Sequence, residues 1–411
     1  MRVLHLTTYP VELPRHGGQA RVSNICATYA AAGITSRVIA VYEPENYGPE
    51  ALGAHDLAFP LDSPHRRRDL PFCTDLASGE FAARDTGAWA HIHKQLLAFR
   101  PDVLQLEQPW LWPVVDRARR DAAVPSFRVV YSSQNVEAPL KRRVLQGCAA
   151  EQVETVVAEI EALEQAVTRA ADLVVAVTAS DARTYEVLGA RRVILARNGI
   201  VERAVDPELL AYWKKVLRGI DFALFVGSAY PPNVAGFWEM FAPSLAFLAP
   251  HQRILVVGGI SHVLPTHPGF SRWREVNASR LLFLGPREEA VLAVLLELAA
   301  CIVLPITTGG GSNIKTAEAI YSRKPIVGTT TSFRGYEDVV AELSGIHRTD
   351  DPGEFRRQVK RAIDGLVPRP VDDRLELRRR VLWKEALAAL PRELRSLARD
   401  VPVAPGVEVS A

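Results

Sequence analysis

The stretch "ITTGGGSNIKTAEAIYSRKPIVGTT", Ile306 to Thr330, carries most of a βαβ unit in order. Just ahead of it, "CIVLP" (Cys301 to Pro305) is a short apolar run rich in β-branched residues. Gly309 to Gly311 make a turn, "NIKTAEAIYSR" has helix-forming residues up to Pro325, and "PIVGTT" (Pro325 to Thr330) is a second apolar run. Strand, turn, helix and strand in that spacing imply a mostly parallel sheet. Three glycines in a row leave the backbone free of Cβ atoms, open to sharp turns and to close approach. Ser312 or Asn313 would be the N-cap of the helix. The first helix amides lack intrahelical partners, and with the dipole they favour an anion. Lys315 in the first turn opposes that dipole, so a purely structural role is the less natural one. Glu318 follows on the same face, about 4.5 Å further along the axis. Two readings stand: a diphosphate and its ribose spanning Lys315 and Glu318, or a tight turn with a solvated Lys–Glu pair.

Working outward, the same alternation occurs twice. The first half holds candidate strands at 2–8, 37–42, 102–107, 128–133, 172–178 and 192–197, and the second at 222–228, 253–259, 281–285, 301–305 and 325–330. Each set suffices for one doubly wound, Rossmann-like domain. Ligands in such sheets sit beyond the carboxyl ends of the strands, so two domains facing a central cleft would share one site. The expected boundaries are a first domain at 1–200, a linker with a short helix at 201–219, a second domain at 220–371, a terminal helix at 372–400 and a tail at 401–411.

Composition excludes several classes. The 411 residues carry a formal net charge of +2, too small a field to recruit nucleic acid. Cys26, Cys73, Cys148 and Cys301 are far apart in sequence and form no zinc or redox motif, which favours a reducing, cytoplasmic setting. The most apolar segment, 290–304, is shorter than a membrane helix and contains Glu297. From Arg117 to Arg143 basic residues outnumber acidic ones, and this excess would suit peripheral association with an anionic inner membrane face. P-loop and dinucleotide fingerprints are absent, as is an Asp-x-Asp metal motif, so no metal or separate cofactor is expected.

"VLPITTGGGSNIKTAEAIYSRKPIVGTTTSFRGYE" resembles the donor-binding segment of GT-B glycosyltransferases of family four, the retaining, nucleotide-sugar-dependent glycosyl transferases group 1. "LFVGSAYPPNVAGFWEM" is similar to the opening of that family's second domain, and "LLFLGPREEAVLAVLLELAACIVLP" to its middle. "RAADLVVAVTASDARTYEVLGARRVILARNG" is similar to the close of the first domain, and "TTYPVELPRHGGQARVSNICATYAAAG" to its glycine loop and first helix. The resemblance covers most of the chain.

It implies a metal-independent, retaining hexosyltransferase that moves a sugar from a nucleoside diphosphate donor to a glycan or lipid-linked acceptor, in polysaccharide or glycoconjugate biosynthesis. By the same resemblance Gly17 and Gly18 approach the donor's diphosphate and sugar. Gly310, Gly311, Ser312 and Asn313 belong to the donor loop, Lys315 lies near the diphosphate, and Glu318 binds the ribose. The family's first Glu of its Glu-seven residues-Glu motif is replaced by Gly310. That substitution keeps two alternatives open: a sugar-nucleotide-binding protein without turnover, and a nucleotide-sugar epimerase. Glu107 stands where many relatives carry a histidine beside the reacting sugar, and it reads equally well as a salt-bridged Glu at a strand end. Asn135 and Glu137 are further candidates for the acceptor side.

Overall fold

The computed structural model describes residues 1–66, 71, 73–368, 370 and 374–399; the expected tail at 401–411 lies outside them. The chain divides into two compact units, one of residues 1–197 with 387–411, the other of 198–386.

The first unit holds β1 (Arg2–Thr7), β2 (Thr35–Tyr42), β3 (Leu57–Ala58), β4 (Val103–Leu106), β5 (Arg128–Ser132), β6 (Leu173–Ala176) and β7 (Val193–Leu195). They form one sheet in the order β3-β2-β1-β4-β5-β6-β7, with every neighbouring pair parallel. The second unit holds β8 (Asp221–Val226), β9 (Gln252–Val257), β10 (Leu281–Gly285), β11 (Cys301–Leu304), β12 (Ile326–Gly328) and β13 (Ile346–Arg348), again all parallel, in the order β10-β9-β8-β11-β12-β13. Central strands such as β4, β6 and β11 are buried along their length, because helices cover both faces of a parallel sheet. In each unit the strand order reverses direction between two neighbours, β1 and β4 or β8 and β11. The loops that leave those strands open the crevice where doubly wound sheets bind ligands.

All eleven strand expectations are met within a residue or two at their ends. The two unforeseen strands, β3 and β13, are edge strands of two and three residues, too short for any periodicity. The segment 201–219 contains the helix Pro207–Val216, with Asp206 accepting from the amides of Glu208 and Leu209 as N-cap and Pro207 at the first position. Its Trp213, with Leu217 beyond, is buried in the core of the second unit.

The terminal helix is a correction. Instead of one rod there are three pieces, Leu375–Arg379, Trp383–Ala386 and Leu390–Arg399. Pro391 cannot donate a backbone hydrogen bond and so sits in the first turn of the last piece, where none is needed. Leu377, Val381 and Leu382 belong to the second core. The last helix belongs to the first unit, where Leu390, Leu394 and Leu397 are buried and Glu393 pairs with Arg192.

Candidate functional site

In the second unit the glycine turn leaves the carboxyl end of β11, at the reversal point. Gly309 has φ +143° and Gly311 φ +58°, both in the region that favours glycine. Asn313 is the N-cap of the helix Ile314–Tyr321, without a side-chain cap bond. Ser312 fastens the loop instead of capping the helix. Its Oγ accepts from the Asn198 amide at 3.0 Å, and its carbonyl accepts from Asn198 Nδ2 at 3.0 Å. Among the described residues the amides of Gly310, Gly311 and Ser312 have no protein acceptor. Three successive unpaired N–H groups at a helix entrance are what an anion needs.

Lys315 lies in the first turn of that helix, half-buried, its Nζ donating to Asn233 Oδ1 at 3.2 Å. Asn233 is tied in turn to the loop after β8, its Nδ2 donating to the carbonyl and Oγ of Ser228 at 3.1 Å each. Both arms of the reversal point therefore meet at Lys315. Burial pushes its ammonium down to about 8, with the Glu318 carboxylate only partly offsetting it. An anionic ligand would raise it again. Glu318 is buried and accepts from Arg203 Nη1 at 2.9 Å. Burial pushes its carboxyl up, and Arg203 works against that. Glu318 and Arg203 line a cavity of about 450 Å³ together with Ile200, Leu296 and Tyr321. The solvated Lys–Glu pair is thus not what forms: Glu318 is buried on Arg203, and the half-buried Lys315 turns to Asn233.

Sequence reading missed Arg203, Asn233 and Arg334. The Arg334 guanidinium donates to the carbonyls of Gly309, Gly310 and Gly311 at 2.9, 2.7 and 2.6 Å. None of the three lies within a recognisable motif spacing of Lys315 or Glu318, so only the folded chain brings them together.

In the first unit Gly17 and Gly18 are not in a loop. They are the first two residues of the helix Gly17–Ala31, with His16 as N-cap. The loop before them is closed by Gln19, whose Oε1 accepts from the Arg15 amide and whose Nε2 donates to the Pro10 carbonyl. A Cβ on Gly18 would come within 2.6 Å of Tyr9 Oη and of Gln134 Oε1, so these side-chain ends would have to shift to admit one.

Glu107, at the carboxyl end of β4, is fully buried. Its Oε1 accepts from His5 Nδ1 at 2.6 Å and Gln105 Nε2 at 2.8 Å, while Oε2 finds no partner among the described residues. Burial works against a charged His5 imidazole, but Cys26 and Glu107 beside it more than offset that and push it up to about 10. In this arrangement Glu107 is the counter-ion of His5 at a strand end, with no surface open to an acceptor. Asn135 Nδ2 donates to Glu137 Oε1 at 3.3 Å, and burial pushes the Glu137 carboxyl up to about 8. Next to the reversal point a polar cavity of about 270 Å³ is lined by Thr8, Tyr9, Asp75, Ser78, Gln108 and Lys141. Asp75 and Tyr9 were not singled out from sequence.

Five of the seven basic residues of this stretch meet partners within the protein. Arg120 pairs with Asp116, Arg128 with Asp172, Lys141 with Asp75 and Arg142 with Glu154 and Glu161, while Arg117 lies 4.1 Å over the Trp89 ring. The basic surface expected to meet anionic lipid is correspondingly weaker than the count of charges implied. No helix among the described residues is long and apolar enough to cross a membrane. No cluster of three or more His, Cys, Asp and Glu that could hold a metal ion occurs among them.

The "Glycosyl transferase 4-like domain" family matches residues 16–199, and the "Glycosyl transferases group 1" family matches residues 221–364. No curated protein matches the chain. Among solved structures, sucrose-phosphate synthase from Thermosynechococcus elongatus is similar with a TM-score of 0.70 at 13% identity, over 98% of this chain and 100% of that one. Anabaena Alr3699/HepE, in complex with UDP and glucose, is similar with a TM-score of 0.66 at 13% identity, over 98% and 100%. WaaG, a glycosyltransferase involved in lipopolysaccharide biosynthesis, is similar with a TM-score of 0.62 at 16% identity, over 98% and 100%. These likenesses show a shared GT-B fold.

Proposed function

Because the chain belongs to the glycosyl transferases, its first domain 4-like and its second of group 1, we propose that it transfers a sugar from a nucleoside diphosphate donor to a glycan or lipid-linked acceptor, with retention and without a metal. The observation that carries this reading is the row of unpaired amides at Gly310, Gly311 and Ser312, next to the half-buried Lys315 at the reversal point of the second sheet. As the sugar leaves, negative charge grows on the diphosphate. Fixed amides and an ammonium neutralise it electrostatically, with little reorganisation. Glu318 takes the ribose hydroxyls. No further cofactor is needed, since the donor carries the transferred group. The polar cavity of the first unit, with Asp75, Gln108 and Tyr9, offers hydroxyl partners for an acceptor sugar. Synthesis of a polysaccharide or glycoconjugate at the cytoplasmic side of the cell is the setting in which such a donor and acceptor meet.

The test is incubation with UDP-, GDP- and ADP-sugars, following nucleotide release and sugar identity. Slow release of the nucleoside diphosphate with one donor, accelerated by an acceptor glycan, is expected. Conversion of the sugar with the nucleotide retained would make the protein an epimerase, and binding without release would make it a carrier. UDP-glucose is the first donor to try, given the ligands of the Anabaena protein.

A further inference from the structure

We infer that Arg334 is the positioning residue of this site, the group that turns the glycine amides toward the donor diphosphate; the inference rests on the donor reading above. A peptide unit is planar and trans, so a carbonyl and the N–H that follows it point in opposite directions. Arg334 draws the carbonyls of Gly309, Gly310 and Gly311 to one side through Nη1, Nη2 and Nε. The amides of Gly310, Gly311 and Ser312 therefore point to the other side, and these are the three without an acceptor. A run of glycines has no side chains with which to pack itself, and it loses more freedom on ordering than any other sequence. The restraint has to come from outside the loop, and one guanidinium supplies it.

Arg334 is well placed for this. It follows the short 3₁₀ turn Thr331–Phe333, which is fastened to the end of β11: Ser332 Oγ donates to the Leu304 carbonyl and Thr329 Oγ1 to the Ile306 carbonyl. Ser332 and Phe333 are fully buried. Loop and clamp thus hang from the same strand end. A planar fork of fixed donors can serve three carbonyls that lie side by side; a lysine ammonium, compact and strongly hydrated, cannot reproduce that geometry. The positive charge behind the carbonyls also polarises the peptide units, making their N–H ends better anion donors.

The experiment measures calorimetric affinity of the full chain for UDP, GDP and ADP and for the three parent nucleosides, in the wild type, Arg334→Lys, Arg334→Gln and Arg334→Ala, after thermal unfolding has established which variants are folded. The expected result is a loss of about tenfold or more on the preferred diphosphate, the size of a lost set of charge-assisted hydrogen bonds, with nucleoside affinity held within about twofold. Added methylguanidinium should restore diphosphate binding to Arg334→Ala. A wild type that binds none of the diphosphates sinks the donor reading and this inference with it. A wild type that binds while folded Arg334 variants bind equally well overturns the inference alone, as do equal losses on diphosphate and nucleoside, which mark a merely structural tie.

Discussion

Arg203 stands between two carboxylates, Nη1 donating to Glu318 Oε1 at 2.9 Å and Nη2 to Glu289 Oε1 at 3.2 Å. Glu318 is the residue assigned to the ribose, so a donor must share or displace an incumbent cation. Burial holds the Glu318 carboxyl above its ordinary range, and Arg203 is the main force pulling it back. Removing that cation lets the carboxyl take up its proton at higher pH, and a protonated Glu318 is a poorer acceptor for ribose hydroxyls. In Arg203→Met, nucleoside diphosphate affinity should be lost on acidification at a higher pH than in the wild type. Calorimetric titration across mildly acidic pH checks this, and superimposable profiles would refute it.

Lys315 is predicted to impose a pH limit at the alkaline side. With its ammonium pushed down to about 8 in the empty protein, binding of a diphosphate is linked to proton uptake above that pH. On the alkaline side affinity should therefore fall as pH rises through about 8. In Lys315→Arg, whose guanidinium stays charged, the fall should disappear. A wild-type affinity that does not change across mildly alkaline pH would dissociate Lys315 from the diphosphate.

Lys315 and Glu318 should also separate kinetically. In the proposed site Lys315 would face charge that grows in the transition state, so Lys315→Ala should lower turnover by roughly 10²-fold, more than it lowers donor affinity. In the same proposed site Glu318 would bind ribose alike in ground and transition states, so Glu318→Ala should mainly weaken binding of donor and free nucleotide. A folded Lys315→Ala variant with near-normal turnover, or Glu318→Ala with undiminished nucleotide affinity, would remove that residue from the site.

Transfer should survive excess chelator, because the proposed charge stabilisation comes from amides and Lys315. Loss of activity on chelation, reversed by Mg²⁺ or Mn²⁺, would show that the diphosphate needs a metal.

Gly18→Ala should be costly in the first unit. The new methyl would press on Tyr9 Oη and Gln134 Oε1, and Gln134 Nε2 donates to that same Tyr9 Oη. Overpacking of this kind costs about 1–3 kcal/mol. A thermal midpoint equal to that of the wild type would show that the pair moves aside freely.

The order of elements was legible in the sequence by itself, because strand–turn–helix alternation is local chemistry. Apolar runs such as "CIVLP" and "RILVVGG" announce buried parallel strands, and Gly309 to Gly311 announce a turn without Cβ atoms. Lys315 and Glu318 could be placed on one helix face from spacing alone. What those side chains touch was decided only by the tertiary structure. Glu107 looked available at a strand end, yet His5, more than a hundred residues away in sequence, takes it into a buried ion pair. Gly17 and Gly18 read as a loop until His16 capped a helix that begins with them. The last helix returned to the first unit because its Leu390, Leu394 and Leu397 stripe needed burial, and Pro391 made the break. Arg334 and Arg203 left no sequence signal at all. Long, flexible cations choose partners by where the fold brings carbonyls and carboxylates, and that proximity is a property of the packed chain.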